Sequence, residues 1–487
     1  MNTGDALLAD IRANPDDVGL RRIYADWLED HGDSARAEFI RVQLDLAALD
    51  EWDEARPALM QREQELLAAH RDLWLAGLPT TQGVFFEAGF PERWWLDGPR
   101  FIAYGPRIAA HTPIVCLSLT QLREDAVAQA VGQFSLLDTV RYLSLESSQL
   151  SEWNLIKWLQ YRSFSELCGL SLSLLLLNGA ALSALLRHPA SLRLEHLDLS
   201  FSGLYGTDLE NLAQAPTLGR LRSLKLDGNH LGNLEMDFLA AASHWSELEE
   251  LRLRSGEMSV AGLRSLARAP FLSRLRRLDL SFNPLGGECE PFFRQAPLDC
   301  LTDLELSGLQ LNWEGVQALV RSGCWGQLQV LDLSNNQLNR RDLQTLAEAT
   351  HVPPLRQLRL NRIGLGREEA RTLATWPGLR MLRVLHLEGN SLDAHALRAL
   401  LFSPHWGPIR QLNLSRNPVG YLGAQVLARW PGLANLSSLW LDSCELDDAA
   451  ALVLLEALPP GRELRLGDNP FSANIQEAFQ ARGHRLW

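Results

Sequence analysis

Leu331-Asp332-Leu333-Ser334-Asn335-Asn336-Gln337-Leu338 is the stretch that decides how this chain folds. Side chains alternate along a strand, so Leu331 and Leu333 share one face and Asp332 and Ser334 take the other. Leu338 then turns back inward. The same Leu-x-Leu recurs at Leu117, Leu143, Leu170, Leu197, Leu224, Leu251 and Leu278. It continues at Leu304, Leu331, Leu358, Leu385, Leu412, Leu439 and Leu464. That is fourteen occurrences, nearly all 26 or 27 residues apart. A phase kept over so much chain marks an array of repeats rather than a set of unrelated strands.

Working outward from the leucines, each unit carries the same internal chemistry. Asn336 stands at the bend, where a buried amide can satisfy neighbouring backbone groups. Asn229, Asn283, Asn390, Asn417 and Asn469 hold the same slot. Ser148, Ser202, Gly256, Leu309, Ile363 and Cys444 replace it elsewhere. Leu309 and Ile363 cannot make amide bonds, so backbone irregularity is expected there. A helical stretch follows, as at Val260–Arg268, with Leu263 and Leu266 on one face. Pro189, Pro216, Pro270, Pro297, Pro377, Pro404 and Pro431 then share one phase and stop it. Strand, helix and return fit in about 27 residues. Stacked units give a parallel sheet inside and helices outside, an α/β solenoid that curves because helices are wider than strands.

This pattern resembles leucine-rich repeats of the ribonuclease-inhibitor type, from Leu117 to the end of the chain. The resemblance implies a curved, non-catalytic scaffold of about 14 repeats that binds a protein on its concave face. Upstream, residues 5–49 read as three helices, Ala6–Ala13, Asp17–Asp30 and Asp33–Leu49, with a fourth at Pro57–Leu75. Asn14-Pro15-Asp16-Asp17, Arg22-Ile23-Tyr24-Ala25-Asp26-Trp27-Leu28-Glu29, Gly32-Asp33 and Arg36-Ala37-Glu38-Phe39-Ile40 together resemble a bacterial repeat-companion domain. That domain stands ahead of such repeats and implies no activity. Gly83–Leu96 reads as a β-rich lead-in, and Ser472–Trp487 as the opposite cap. The expected domains are residues 1–79, 80–116 and 117–487.

The chain has 487 residues, 46% hydrophobic and 22% charged, enough to bury a long core. Net charge is −13. Residues 1–100 hold twenty acidic and ten basic side chains, or −10, leaving −3 for the rest. Such a front end repels phosphate, so no nucleic-acid partner is expected. Met1–Asp5 does not read as a signal peptide, and no apolar run is long enough to span a bilayer. The six cysteines form no CxxC pair. A cytoplasmic monomer, with no membrane partner, is the expectation.

Candidate sites are the departures from the repeat's own consensus on the open face. Lys225, Arg252 and Arg254 read as one basic patch. Arg359, Arg362, His386 and Arg416 read as another, with Asn361 and Trp440 beside it. Arginine and tryptophan are typical binding anchors. Trp245, Trp325 and Trp406 share one phase, and Trp376 and Trp430 another; packing between repeats is the expected role. Asp26, Glu29, Asp30, Asp33 and Glu38 lack the spacing of a calcium loop and read as a solvated acidic pair of helices, with Arg22 and Arg36 pairing locally. No zinc, phosphate-loop or nucleophile motif stands in the sequence, so neither cofactor nor catalysis is expected. The alternatives are regulation of a small GTPase, through Arg359, Asn361 or Arg416, and inhibition of another enzyme.

Overall fold

The computed structural model describes residues 3–50, 52–79, 83–177, 179–283, 285 and 288–486. Met1, Asn2, residues 80–82 and Trp487 therefore lie outside the described part of the expected segments. The chain forms two compact units. The first holds residues 1–204 and 215–224; the second holds 205–214 and 225–487.

The first unit opens with four helices: α1 (Thr3–Ala13), α2 (Val18–Asp30), α3 (Ser34–Ala48) and α4 (Arg56–Trp74). Asp17 and Asp33 cap α2 and α3 by accepting from the Leu20 and Arg36 amides, so both carboxylates satisfy N–H groups that the helix itself leaves unpaired. A hairpin follows, β1 (Val84–Glu87) against β2 (Phe90–Asp97), antiparallel. After helix α5 (Gly98–His111) come β3 (Cys116–Thr120), β4 (Tyr142–Ser144), β5 (Gly169–Ser171) and β6 (His196–Asp198). Strands β2 to β6 pair in parallel and in order. The hairpin thus supplies the first parallel rung.

Side chains of α2 and α3 hold these helices to the hairpin. Arg21 is buried; its Nε donates to Pro15 O (2.9 Å) and its Nη1 to Ala88 O (2.9 Å). Its Nη2 lies 2.5 Å from Glu92 on β2. Gln43 donates to Phe86 O (3.0 Å) and accepts from the Gly89 amide (2.7 Å). Arg36 departs from expectation: among the described residues no carboxylate forms an ion pair with it. Its guanidinium sits 4.7 Å from the Trp74 ring and 5.3 Å from Phe86, with Phe39 and Phe90 also within 6 Å. Burial lowers its pKa to about 10, so it remains a cation held by aromatic faces. The surface carboxylates use other arginines: Asp26 and Glu29 pair with Arg41 (2.7 and 2.6 Å), and Glu38 with Arg62 (2.7 Å). Arg22 reaches Asp45 at 3.3 Å.

After β7 (Ser223–Lys225), the second unit carries β8 (Glu250–Arg252), β9 (Arg277–Asp279), β10 (Asp303–Glu305), β11 (Val330–Asp332) and β12 (Gln357–Arg359). It continues with β13 (Val384–His386), β14 (Gln411–Asn413), β15 (Ser438–Trp440), β16 (Glu463–Arg465) and β17 (Arg485–Leu486). Strands β8 to β17 pair in parallel, each with its sequence neighbour, and the first leucines stay in register. Both leucines of every Leu-x-Leu from Leu251 to Leu464 are buried. Each adds about 1.5–3 kcal/mol of apolar burial that no single repeat could supply.

The bend after each strand has a fixed backbone. The residue four after the first leucine is left-handed in all fourteen units, from Gln121 (φ 53°) to Asp468 (φ 55°). The amides of Asn283, Asn336, Asn390, Asn417 and Asn469 bond the unit before them. Asn390 is typical: Nδ2 donates to Leu360 O and Leu387 O, and Oδ1 accepts from the Ile363 and Leu365 amides. Six of the eight units without Asn carry a second left-handed residue just after the slot, at Gln149, Gly203, Glu257, Gln310, Gly364 and Glu445, with φ between 58° and 82°; the other two hold Leu122 and Leu175 in the slot. The irregularity expected at Leu309 and Ile363 is therefore present, at Gln310 and Gly364, and extends to the other four.

Candidate functional site

The open face of the sheet in the second unit presents the residue between each pair of leucines. Register aligns Arg252, Asp279, Glu305, Asp332, Arg359, His386, Asn413, Trp440 and Arg465 on consecutive rungs. The Asp and Asn of this row mostly serve their own bends: Asp279, Asp332 and Asn413 accept from the Ser281, Ser334 and Ser415 amides at 2.8–2.9 Å. This is why the Asp-Leu-Ser units are the plain form of the repeat.

Both expected basic patches hold carboxylates among their arginines. Arg252 lies 2.9 Å from Asp227 and 3.7 Å from Asp279. Burial opposes its charge, while Asp227, Asp279 and Glu305 outweigh that and raise its pKa. Arg254 stacks at 4.5 Å on Phe282, and its backbone amide donates to Asp227. Lys225 ends β7. Arg359 sits 3.7 Å from both Glu305 and Asp332, and the Gln357 amide oxygen, turned toward it, accepts from Nε and Nη2 at 3.0 and 2.8 Å. Glu388 lies between Arg362 (3.4 Å) and Arg416 (3.5 Å). Carboxylates from neighbouring rungs thus lie against Arg252, Arg359, Arg362 and Arg416, whereas the Arg254 guanidinium rests on Phe282.

Asn361 has a backbone role. Its Oδ1 accepts from the Glu388 amide (2.8 Å), as Ser281, Ser334, Ser415 and Asp442 each accept from the amide one rung on.

At the far end of the row, Trp440 lies 5.2 Å from the His386 ring and 4.2 Å under the Arg465 guanidinium. Its Nε1 donates to Ser438 Oγ (2.8 Å), and Gln411 Nε2 meets His386 Nε2 at 3.3 Å. Burial, then the charge of Arg359, lowers the His386 pKa to about 4, so the imidazole is neutral near pH 7. The result is a half-exposed indole fixed on two sides, with Arg465 and Gln411 as members that the sequence reading did not single out. Their in-register spacing was the available signal.

The other candidates are structural. Trp245, Trp325, Trp376 and Trp430 are buried, and Trp406 packs 5.6 Å from Trp430. Among the described residues no group of three His, Cys, Asp or Glu could hold a metal ion. No helix among them is long and apolar enough to cross a membrane.

Comparison with known proteins agrees with this geometry. Leucine Rich Repeat profiles match residues 274–296 and 327–348, and a second Leucine Rich repeat profile matches 408–428. These three stretches are leucine-rich repeats, within a parallel-stranded repeat array that follows four helices. Among particular proteins, an internalin (inlF) from Listeria monocytogenes is 16% identical, with a TM-score of 0.39 over 72% of this chain and 81% of that one. Rad7, from the yeast Rad7 and Elc1 complex, is 14% identical, with a TM-score of 0.43 over 94% of this chain and 87% of that one. TLR13, from its complex with ssRNA13, is 21% identical, with a TM-score of 0.43 over 74% and 56%. No curated protein matches.

Proposed function

We propose that this chain is a non-catalytic, cytoplasmic scaffold of the ribonuclease-inhibitor type, monomeric, that grips a folded protein on the open, concave face of its second unit. The carrying observation is Trp440, held between His386 and Arg465. A large amphipathic ring already fixed in place loses little side-chain freedom on binding, which is what makes an anchor strong. The charges of Lys225, Arg252, Arg254, Arg359, Arg362 and Arg416 would surround it as an orienting rim, with Asn361 among them. The helices and hairpin of the first unit, a repeat-companion domain in this reading, cover the first rung. Arg359 and Arg416 are engaged by carboxylates, which speaks against a free arginine reaching a phosphate, so we do not adopt regulation of a GTPase.

The test is crosslinking capture with wild type beside Arg359→Ala/His386→Ala/Trp440→Ala, the variant first shown to keep its circular dichroism and Tm. Loss of one captured protein with the variant is expected. Equal recovery overturns the concave-face reading.

A further inference from the structure

The segments that lead into strands β12 to β16 carry a second surface. Arg356, Arg383, Arg410 and Arg462 each stand two residues before a Leu-x-Leu. The Arg383 amide donates to Arg356 O (2.7 Å) and the Arg410 amide to Arg383 O (2.8 Å). Three guanidinium-bearing residues therefore occupy consecutive rungs, about 4.8 Å apart. Arg462 follows two rungs on. The return segments 351–357, 374–384, 401–411 and 428–438 also contain Arg380 and Arg429, with His351 and His405, and no Asp or Glu; in the fifth, Glu463 follows Arg462. In a chain of net charge −13 this is a local reversal of sign.

These arginines differ from those on the open face. Among the described residues none of the six is ion-paired to a carboxylate. Arg383 Nη1 donates to Pro408 O (3.1 Å), Arg410 Nη1 to Asn435 O (3.4 Å) and Arg462 Nη2 to Ala434 O (3.2 Å). Pinning a return loop uses one of a guanidinium's five N–H donors and needs no charge. Like charges on adjacent rungs repel, a cost that pinning alone does not explain.

We propose that this leading edge of strands β12 to β16 docks an acidic helix of a partner protein. Carboxylates one helical turn apart are separated by about 5.4 Å, close to the rung spacing. From Arg356 to Arg462 is four rungs, about 19 Å, matched by a helix of about thirteen residues. Nucleic acid suits the edge less well. A nucleic acid carries a negative charge on every phosphate along its length, and a chain of net charge −13 repels such a polyanion more than a helix with one acidic face. The inference stands apart from the concave-face reading, since none of its residues contributes to the Trp440 cluster.

The probe is a fluorescent peptide of about sixteen residues with Glu at every fourth position and Ala between, followed by anisotropy at low salt. Wild type should bind it and lose it as salt rises. Arg356→Gln/Arg383→Gln/Arg410→Gln should weaken binding about tenfold. Arg359→Ala/His386→Ala/Trp440→Ala should leave it unchanged. Should the triple Gln variant not fold, exposed Arg410→Glu decides, with a loss of about threefold or more expected. Equal affinity for wild type and rail variants overturns the proposal, as does equal binding of the same peptide with Gln for Glu. Tighter, rail-dependent binding of a uridine oligonucleotide overturns the assignment to protein.

Discussion

At Asn390 a single amide closes four backbone groups, one in its own unit and three in the unit before it. Asn390→Ala strands all four in a dry bend, so a loss of about 3 kcal/mol is expected in denaturant unfolding. A loss below about 1 kcal/mol would mean that water replaces the amide. His386 makes a titration prediction. Its folded pKa, about 4, lies below the ordinary 6.5 because burial, and then Arg359, disfavour the cation. An unfolded chain therefore binds more protons in that window, and stability present above pH 6.5 is lost as pH falls toward 4. Its imidazole NMR signals should stay flat from pH 8 to about 5.5, and His386→Gln should flatten part of the acid limb of Tm against pH. An ordinary titration near 6.5 would contradict the packing described for Trp440. The Asn slot was legible from the repeated phase alone. The neutral state of His386 was not, because it depends on neighbours that come from other repeats.

The β1–β2 hairpin shows what an element gains from distant contacts. Two strands alone are marginal in water. Here the turn is clamped by Arg21 and Gln43 from α2 and α3. Gly89 makes that approach possible: its φ is +91°, and a Cβ would stand 2.2 Å from Ile40 Cγ1. Gly89→Ala should cost more than about 3 kcal/mol and uncouple the helices from the hairpin. Hydrogen exchange would then rise first in α2, α3 and β1. Unchanged protection there would sink the idea that this turn joins them. Arg36 was visible in the sequence only within a string of matching order, and Arg21 and Gln43 lay outside that string. Their shared role became readable once α2, α3 and the hairpin lay against one another. Arg36 is the clearest case, since an arginine near Asp33 in sequence suggests an ion pair, whereas the fold places it among Phe39, Trp74, Phe86 and Phe90.

Over the second unit, each helix packs on its sequence neighbours, as Trp313–Arg321 does on Arg340–Ala347 and that helix on Arg367–Leu373. Stability is then a sum of nearest-neighbour terms, and unfolding need not be all-or-none. Calorimetric enthalpy should exceed the van't Hoff value, with the excess reduced when one ligand ties several repeats together. Equality of the two would show long-range cooperation that the contacts do not suggest. The repeat, its strand and helix phases, and the buried leucine core were determined by the sequence itself. Each follows from periodicity, which sets side-chain direction locally. Charge was decided only by tertiary structure. Arg359 became neutralised and Arg410 did not because register selects which carboxylates reach which guanidinium, and Coulomb energy depends on that separation in space rather than along the chain.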